Sequence, residues 1–310
     1  MSNASYSLNF GSVFLAAIND FEGFYDCEPP FKVKYKLCED ALSNQHASII
    51  GSQENAYVRF SSDCCNKELE SITDCFVALI IVCHELAHYV NHHNYYASPE
   101  LEDSRIIEAW ADRFGMCIFM CLITYGEKSK KIAESMGMPV DSGERLNEIG
   151  KAFGYMFKWI YNDSSKKYHI RGDRVMHVAA GVNSFLEAYW GTIDVSMAIS
   201  VYRRIYIASD IMEGVNEDIN SGKYSEDDWD KIRTIHISLQ NGRDAITLGL
   251  KKEYRKYIDT SYVESKTASS AYKKLRYLLA AQQATMSGLD ASTQEYLVGK
   301  FLESFREDLS

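Results

Sequence analysis

The sequence has few residues that break helices and no motif for binding phosphate. Only four prolines occur among 310 residues, all before residue 140, so little interrupts long helices in the second half. Walker and dinucleotide-binding glycine motifs are absent. A formal net charge of −10 does not supply the basic surface that a nucleic-acid groove requires. We therefore expect no nucleic-acid partner.

Long apolar runs and secretory features are also lacking. The longest strongly apolar run, Phe76 to Cys83, is much shorter than the roughly 20 residues of a membrane-spanning helix. The segment from Met1 to Phe10 has no basic stretch followed by an apolar run, as a secretory signal would. We expect a soluble, cytoplasmic protein without a membrane partner, and nothing in the sequence indicates its oligomeric state.

The chain has eight cysteines, but no two of them form a Cys-x-x-Cys pair. A structural zinc site built on cysteine is therefore not expected. Cys83, Cys117 and Cys121 lie on apolar helical stretches, where a free cysteine packs as a small apolar residue. We predict reduced thiols rather than a disulfide framework.

The hydrophobic pattern predicts short strands first and helices afterwards. Apolar and lysine residues alternate from Phe31 to Leu37, which indicates a strand with one buried face. Two more short strands are predicted at 48–51 and 56–60. Ser71-x-x-Asp74 resembles a capping box and begins the first long helix. Further helices are predicted over 105–124, 144–161, 173–190, 195–219, 227–258, 269–286 and 292–308.

The first long helix contains His84-Glu85-Leu86-Ala87-His88. Residues four apart share one helix face, so His84 and His88 can both direct a ring nitrogen at one zinc ion. Glu85 is turned by about 100° from His84, which places its carboxylate beside the metal, where it can accept a proton from activated water. The pattern predicts two zinc ligands and a catalytic base. The alternative is a chance pair of exposed histidines on an amphipathic helix.

A third ligand is predicted on the following helix. Catalytic zinc usually takes three protein ligands, and Glu108 stands twenty residues after His88. Asp112, one turn later on the same face, is placed to accept the free ring N–H of a ligating histidine. The alternative is an ordinary helix with solvent-facing acids, but the neighbouring Trp110 and Phe114 favour a helix packed against its neighbours.

Together these motifs, HExxH followed by ExxxD, resemble those of the gluzincin metallopeptidases. Asn55-Ala56-Tyr57 resembles the segment of that family that leads into an edge strand and binds the substrate backbone. The resemblance implies a zinc-dependent peptidase whose substrate is a protein or peptide, with Asn55 and Ala56 as substrate-binding residues. A narrower resemblance is to intracellular HExxH peptidases of the Lit type and the M48-like group, in which a histidine and an arginine lie about six residues apart. His169 and Arg174, five residues apart, have a similar layout here.

A peptidase of this class also needs a donor that stabilises the oxyanion of the tetrahedral intermediate. The candidates are Tyr168, His169, Arg171, Arg174 and His177. We predict His169 as this catalytic donor because it lies in a loop just before a helix. His177 falls on the helix itself and could equally be a packed core histidine.

Two further histidines follow the zinc motif. His92 extends the face of His88 by one turn, which puts it about 6 Å further along the axis, too far to share the metal. We expect the segment from Asn91 to Asn94, with His92 and His93, to cap the helix C-terminus, a peripheral role.

The predicted architecture is α+β, with a small N-terminal antiparallel sheet packed on the zinc-binding helices and a mainly helical C-terminal half. Residues 1–165 are predicted to form a zincin-like catalytic half, and residues 166–310 a helical half that completes the active-site cleft. The leading function is peptide-bond hydrolysis. The alternative is a zinc-containing regulatory or protein-binding module with little or no peptidase turnover. The long C-terminal half favours this alternative, because it is larger than a minimal protease needs.

Overall fold

The computed structural model describes residues 8–39, 46–51, 55–96, 101–160, 171–211, 229–240 and 248–258. These ranges contain mostly helices and a small sheet, so the predicted α+β class is confirmed. The helices are α1 Phe10–Gly23, α2 Ser62–Cys65, α3 Ile72–Val90, α4 Leu101–Tyr125, α5 Lys128–Ser135, α6 Ser142–Trp159, α7 Arg171–Trp190, α8 Val195–Ser209, α9 Trp229–Gln240 and α10 Lys252–Arg255. A short 3₁₀ helix, His93–Tyr95, follows α3.

The sheet consists of β1 Tyr35–Glu39, β2 Ala47–Ile50 and β3 Tyr57–Ser61 in the order β1-β3-β2. β2 and β3 are antiparallel, but β1 and β3 are parallel. The sheet is therefore mixed and not antiparallel throughout, because β3 enters between the two earlier strands. β3 is the central strand, so the prediction that Ala56 leads into an edge strand is wrong.

Helix α3 lies at the centre of the part of the chain that the structure describes. Ser71 caps it by accepting a hydrogen bond from the Asp74 N–H at 3.2 Å, while the Asp74 carboxylate accepts one from the Glu70 N–H. This is a variant of the predicted capping box. α3 packs against α1, α4, α6 and the sheet. Its length and composition would suit a membrane span, but 72% of its most apolar window is buried inside the protein, as in the core helix of a soluble protein.

Two glycines let helix α4 approach its neighbours closely. A Cβ atom on Gly115 would lie 3.0 Å from the Cys83 carbonyl oxygen and from the His84 nitrogen of α3. A Cβ atom on Gly181 of α7 would collide with the Arg113 carbonyl oxygen of α4. Side chains of α3, α4 and α7 can meet because these backbones approach so closely.

We expect Gly115→Ala to destabilise the protein by about 1–3 kcal/mol, because backbone atoms of α3 must move to admit the new methyl group. Urea unfolding followed by circular dichroism measures this. Gly23→Ala is the matched control, because a Cβ atom at Gly23 meets nothing within 4 Å. A Gly115→Ala protein as stable as this control would contradict the close approach.

The predicted helix over 227–258 is wrong, since α9 and α10 are separate helices. Between them, Leu250 forms an isolated antiparallel bridge with Tyr25 at the end of α1. Leu250 is buried, and its backbone pairs with Tyr25 instead of continuing a helix. The helices predicted over 269–286 and 292–308 lie outside the described residues, as does the predicted boundary between residues 165 and 166. The division into halves stays a prediction.

All eight cysteines are free thiols in the structure, in keeping with the prediction of thiols rather than a disulfide framework. Cys83 and Cys121 are fully buried, and burial raises the pKa of both thiols well above the usual value. Because a reactive cysteine needs an accessible thiolate, these two side chains act as packing residues.

Candidate metal centre

Three side chains from α3 and α4 converge on one point. The Nε2 atoms of His84 and His88 lie 3.1 Å apart. The Glu108 Oε2 atom is 3.2 Å from the His84 Nε2 atom and 3.4 Å from that of His88. The structure therefore brings the three predicted ligands together, and the group could hold a metal ion.

The spacing of these atoms fits a metal ion better than a hydrogen-bonded cluster. In a tetrahedral zinc site with bonds of about 2.0–2.1 Å, neighbouring ligand atoms lie about 3.3 Å apart. The three observed distances span 3.1–3.4 Å. Glu108 Oε2 is buried, and among the described residues its polar neighbours are the Nε2 atoms of His84 and His88, an arrangement that a shared cation would explain. Two nitrogens and one oxygen also match a catalytic zinc site with one open position.

Behind His84 stands a buried ion pair. The Nδ1 atom of His84 is 2.9 Å from Asp112 Oδ1. Arg174 of α7 donates two hydrogen bonds to the same carboxylate, from Nε at 2.8 Å and from Nη2 at 2.9 Å. Asp112 and Arg174 are both buried. Asp112 thus fixes the ring of His84 with Nε2 facing the ligand group, and Arg174 holds Asp112.

Electrostatics favours a cation between these side chains. Burial alone would lower the pKa of His84, but hydrogen bonds with Asp112 and Glu108 outweigh it and raise the pKa to about 10. Burial would raise the pKa of Glu108, but His88 and His84 hold it well below its usual value. In the absence of a metal, a proton on His84 balances the carboxylates. A metal ion would displace that proton, so metal binding is coupled to proton release.

Glu85 lies next to the ligand group and is 8% exposed. Burial raises the pKa of its carboxyl above the usual value, although the charges of His84 and His88 partly oppose this. A raised pKa brings a carboxylate nearer to the neutral range in which a general base works best. The position and protonation behaviour of Glu85 both suit proton transfer.

Two further histidines, His93 and His236, extend the site on the side of His88. The sequence analysis gave His93 a peripheral role and did not single out His236. The Nδ1 atoms of His88 and His93 lie 2.7 Å apart. The other ring nitrogen of His93, Nε2, is 2.8 Å from Nε2 of His236 on α9. Burial lowers the pKa of His93 well below its usual value and lowers that of His236 to about 3. Both rings are therefore neutral at physiological pH.

The prediction that His93 is peripheral is wrong. Asn91 caps α3 as expected, and His92 then adopts a left-handed conformation with φ 57°. This turn reverses the chain and directs His93 back towards His88, where its side chain is buried. The ring of His92 instead packs edge-on against Tyr95, and His92 is not among the converging ligands.

The oxyanion donor stays a prediction. Tyr168 and His169 lie outside the described residues, as does the side chain of Arg171. Arg174 directs two of its N–H groups to Asp112, which leaves less of its guanidinium for a substrate. His177 is 2% exposed within α7, in keeping with a core histidine.

The predicted substrate-binding pair precedes β3. Asn55 is exposed, whereas Ala56 is buried. Because β3 is paired on both sides, a peptide cannot extend the sheet along that strand. A direct role of Asn55 and Ala56 in binding substrate stays a prediction.

Comparison of the chain with models of protein families, with curated proteins and with solved structures gives no match. The resemblance to gluzincins therefore rests on the two short motifs and on the side-chain geometry described above.

Proposed function

We propose that this protein is a cytoplasmic zinc-dependent hydrolase that cleaves peptide bonds. His84, His88 and Glu108 hold the metal in this proposal, and Glu85 is the general base. The convergence of two Nε2 atoms and one Oε2 atom within 3.4 Å carries the proposal. The buried Glu85 one residue along the same helix supports hydrolysis rather than metal storage, because a purely structural site needs no base there.

A bound zinc ion would polarise the scissile carbonyl and lower the pKa of water towards about 7. Glu85 then accepts the proton of the attacking water on its carboxylate and passes it to the departing amine. Asp112 keeps the Nδ1–H of His84 engaged, so the Nε2 lone pair of His84 stays directed at the ligand group. The partial burial of the site keeps bulk water from competing for these groups.

A free edge of the sheet supports an extended peptide as substrate. Among the described strands, β1 and β2 each have a neighbour on one side only, and β2 packs against α3, the helix of the zinc motif. An extended peptide can add to such an edge through main-chain hydrogen bonds. In this proposal β2 takes the aligning role that sequence reasoning assigned to the segment at Ala56.

Metal content and cleavage, measured on the same preparation, test the proposal. We expect about one zinc per chain by elemental mass spectrometry, since one three-ligand group is present in the described part of the chain. The zinc-loaded protein should cleave a peptide library. Cleavage should stop when a chelator removes the zinc, and it should return when zinc is restored. A protein without zinc would contradict the proposal. Stoichiometric zinc without cleavage would favour the regulatory module instead.

A further inference from the structure

The ligand His88 is connected to helix α9 by a row of three buried imidazole rings. His88 contacts His93 through the two Nδ1 atoms, and His93 contacts His236 through the two Nε2 atoms. We propose that His93 and His236 are positioning residues that orient His88 for metal binding, so that α9 completes the metal site. This inference rests on the proposed function, because it takes His88 as a metal ligand.

The hydrogen-bond direction along this row follows from metal binding. An imidazole that binds a metal through Nε2 uses the lone pair of that nitrogen, so neutral His88 carries its proton on Nδ1. That N–H donates to Nδ1 of His93, 2.7 Å away. Neutral His93 then carries its proton on Nε2 and donates it to Nε2 of His236 at 2.8 Å. His236 accordingly holds its proton on Nδ1.

Each outer histidine is held in place by a separate part of the fold. The turn at His92 delivers His93 to the end of α3. His236 is fully buried on α9, and Trp110 of α4 packs edge-on against its ring, with 5.4 Å between centroids. Helix α9 packs against α4, the helix that carries Glu108, so the docking of α9 sets the position of His236 relative to the metal site.

The two metal-binding histidines therefore have different supports. His84 is backed by a charged pair, Asp112 and Arg174, whereas His88 is backed by two further imidazole rings. A hydrogen bond to a neutral acceptor fixes the ring as well as one to a carboxylate but is weaker. Outer partners of ligating histidines typically contribute 10- to 100-fold to metal affinity, and we expect His93 and His236 to act at the lower end of this range.

Zinc affinity of the full chain, measured by competition with a chromophoric chelator, tests the role of His236. His236→Met removes the acceptor and should weaken zinc binding by up to about tenfold. His236→Gln keeps a carbonyl oxygen that accepts from the His93 N–H, and should stay close to wild type. Leu239→Ala is the control for packing, because Leu239 is a buried apolar residue on the same helix. It should not change zinc affinity.

Long-range ¹H–¹⁵N spectra of the zinc-loaded wild type provide a second readout that needs no variant. They should show the proton of His93 on Nε2 and that of His236 on Nδ1. The opposite tautomer of either ring would overturn the inference, as would equal zinc affinities of His236→Met and His236→Gln. A Leu239→Ala protein that loses as much zinc affinity as His236→Met would assign the effect to packing and overturn it too.

The same experiment separates this inference from the proposed function. A wild-type chain that binds no zinc overturns both. A chain that binds zinc and cleaves peptides, but whose His236 variants fail the tests above, overturns the positioning role alone.

Discussion

Replacing Glu85 with glutamine is expected to leave zinc bound and to lower peptide cleavage by about 10²–10⁴-fold, the usual contribution of general acid–base catalysis. Glutamine has nearly the shape of glutamate but cannot accept a proton from water. Glu85 is not among the three converging ligands, so its replacement does not remove a metal bond. Initial cleavage rates and zinc content of the same preparation measure both effects.

Two further variants serve as controls for this result. His88→Ala removes a proposed metal ligand and should lose zinc and cleavage together. Glu127→Gln removes a carboxylate whose side chain is 79% exposed on the surface, and it should change neither. A Glu85→Gln protein that cleaves as fast as wild type would exclude Glu85 as the base, while loss of zinc in this variant would assign Glu85 to metal binding.

The part of the site that could be predicted is the part encoded by local helix geometry. His84 and His88 share a helix face because they are four residues apart, and the same relation connects Glu108 with Asp112. The meeting of the two helices was inferred from the third ligand that a catalytic zinc ion needs, and the motif resemblance supported it. In the structure, the close approach at Gly115 provides the physical reason, because a Cβ atom there would lie only 3.0 Å from backbone atoms of α3.

The remaining partners lie far away in sequence and carry no spacing signal. His236 is 143 residues from His93 and stands between isoleucines in an amphipathic helix, where it looks like any core histidine. Arg174 was a candidate for substrate contact, and only the packing of α7 on α4 reveals its bonds to Asp112. Such contacts depend on how helices dock, which local periodicity does not specify.

The order and direction of the strands in the sheet could not be predicted from the sequence either. Alternation of apolar and polar residues located three short strands to within a few residues. It could not give their order, because side-chain alternation is the same for central and edge strands and for parallel and antiparallel neighbours. The parallel pair of β1 and β3 is a long-range contact. The peptide-binding edge was assigned to the segment before β3 only through the resemblance of Asn55-Ala56-Tyr57 to the corresponding segment of gluzincins.

The second large effect is expected at Arg174, where methionine would leave Asp112 buried without its cationic partner. Breaking a buried ion pair by removing one partner typically costs about 3–5 kcal/mol of unfolding free energy. Asp112 would lose two hydrogen bonds, at 2.8 and 2.9 Å, and could no longer hold His84 firmly. Zinc affinity should therefore fall by about 10- to 100-fold as well. Urea unfolding and chelator competition measure the two losses.

A double variant distinguishes loss of the pair from loss of packing. Arg174→Met combined with Asp112→Asn removes both charges, and the asparagine oxygen can still accept the Nδ1–H of His84. Its stability should exceed that of Arg174→Met alone, because no buried charge is then left uncompensated. Arg203→Met, on the exposed face of α8, should have little effect. Equal instability of the single and double variants would mean that Arg174 stabilises the protein through its packing and not through its ion pair with Asp112.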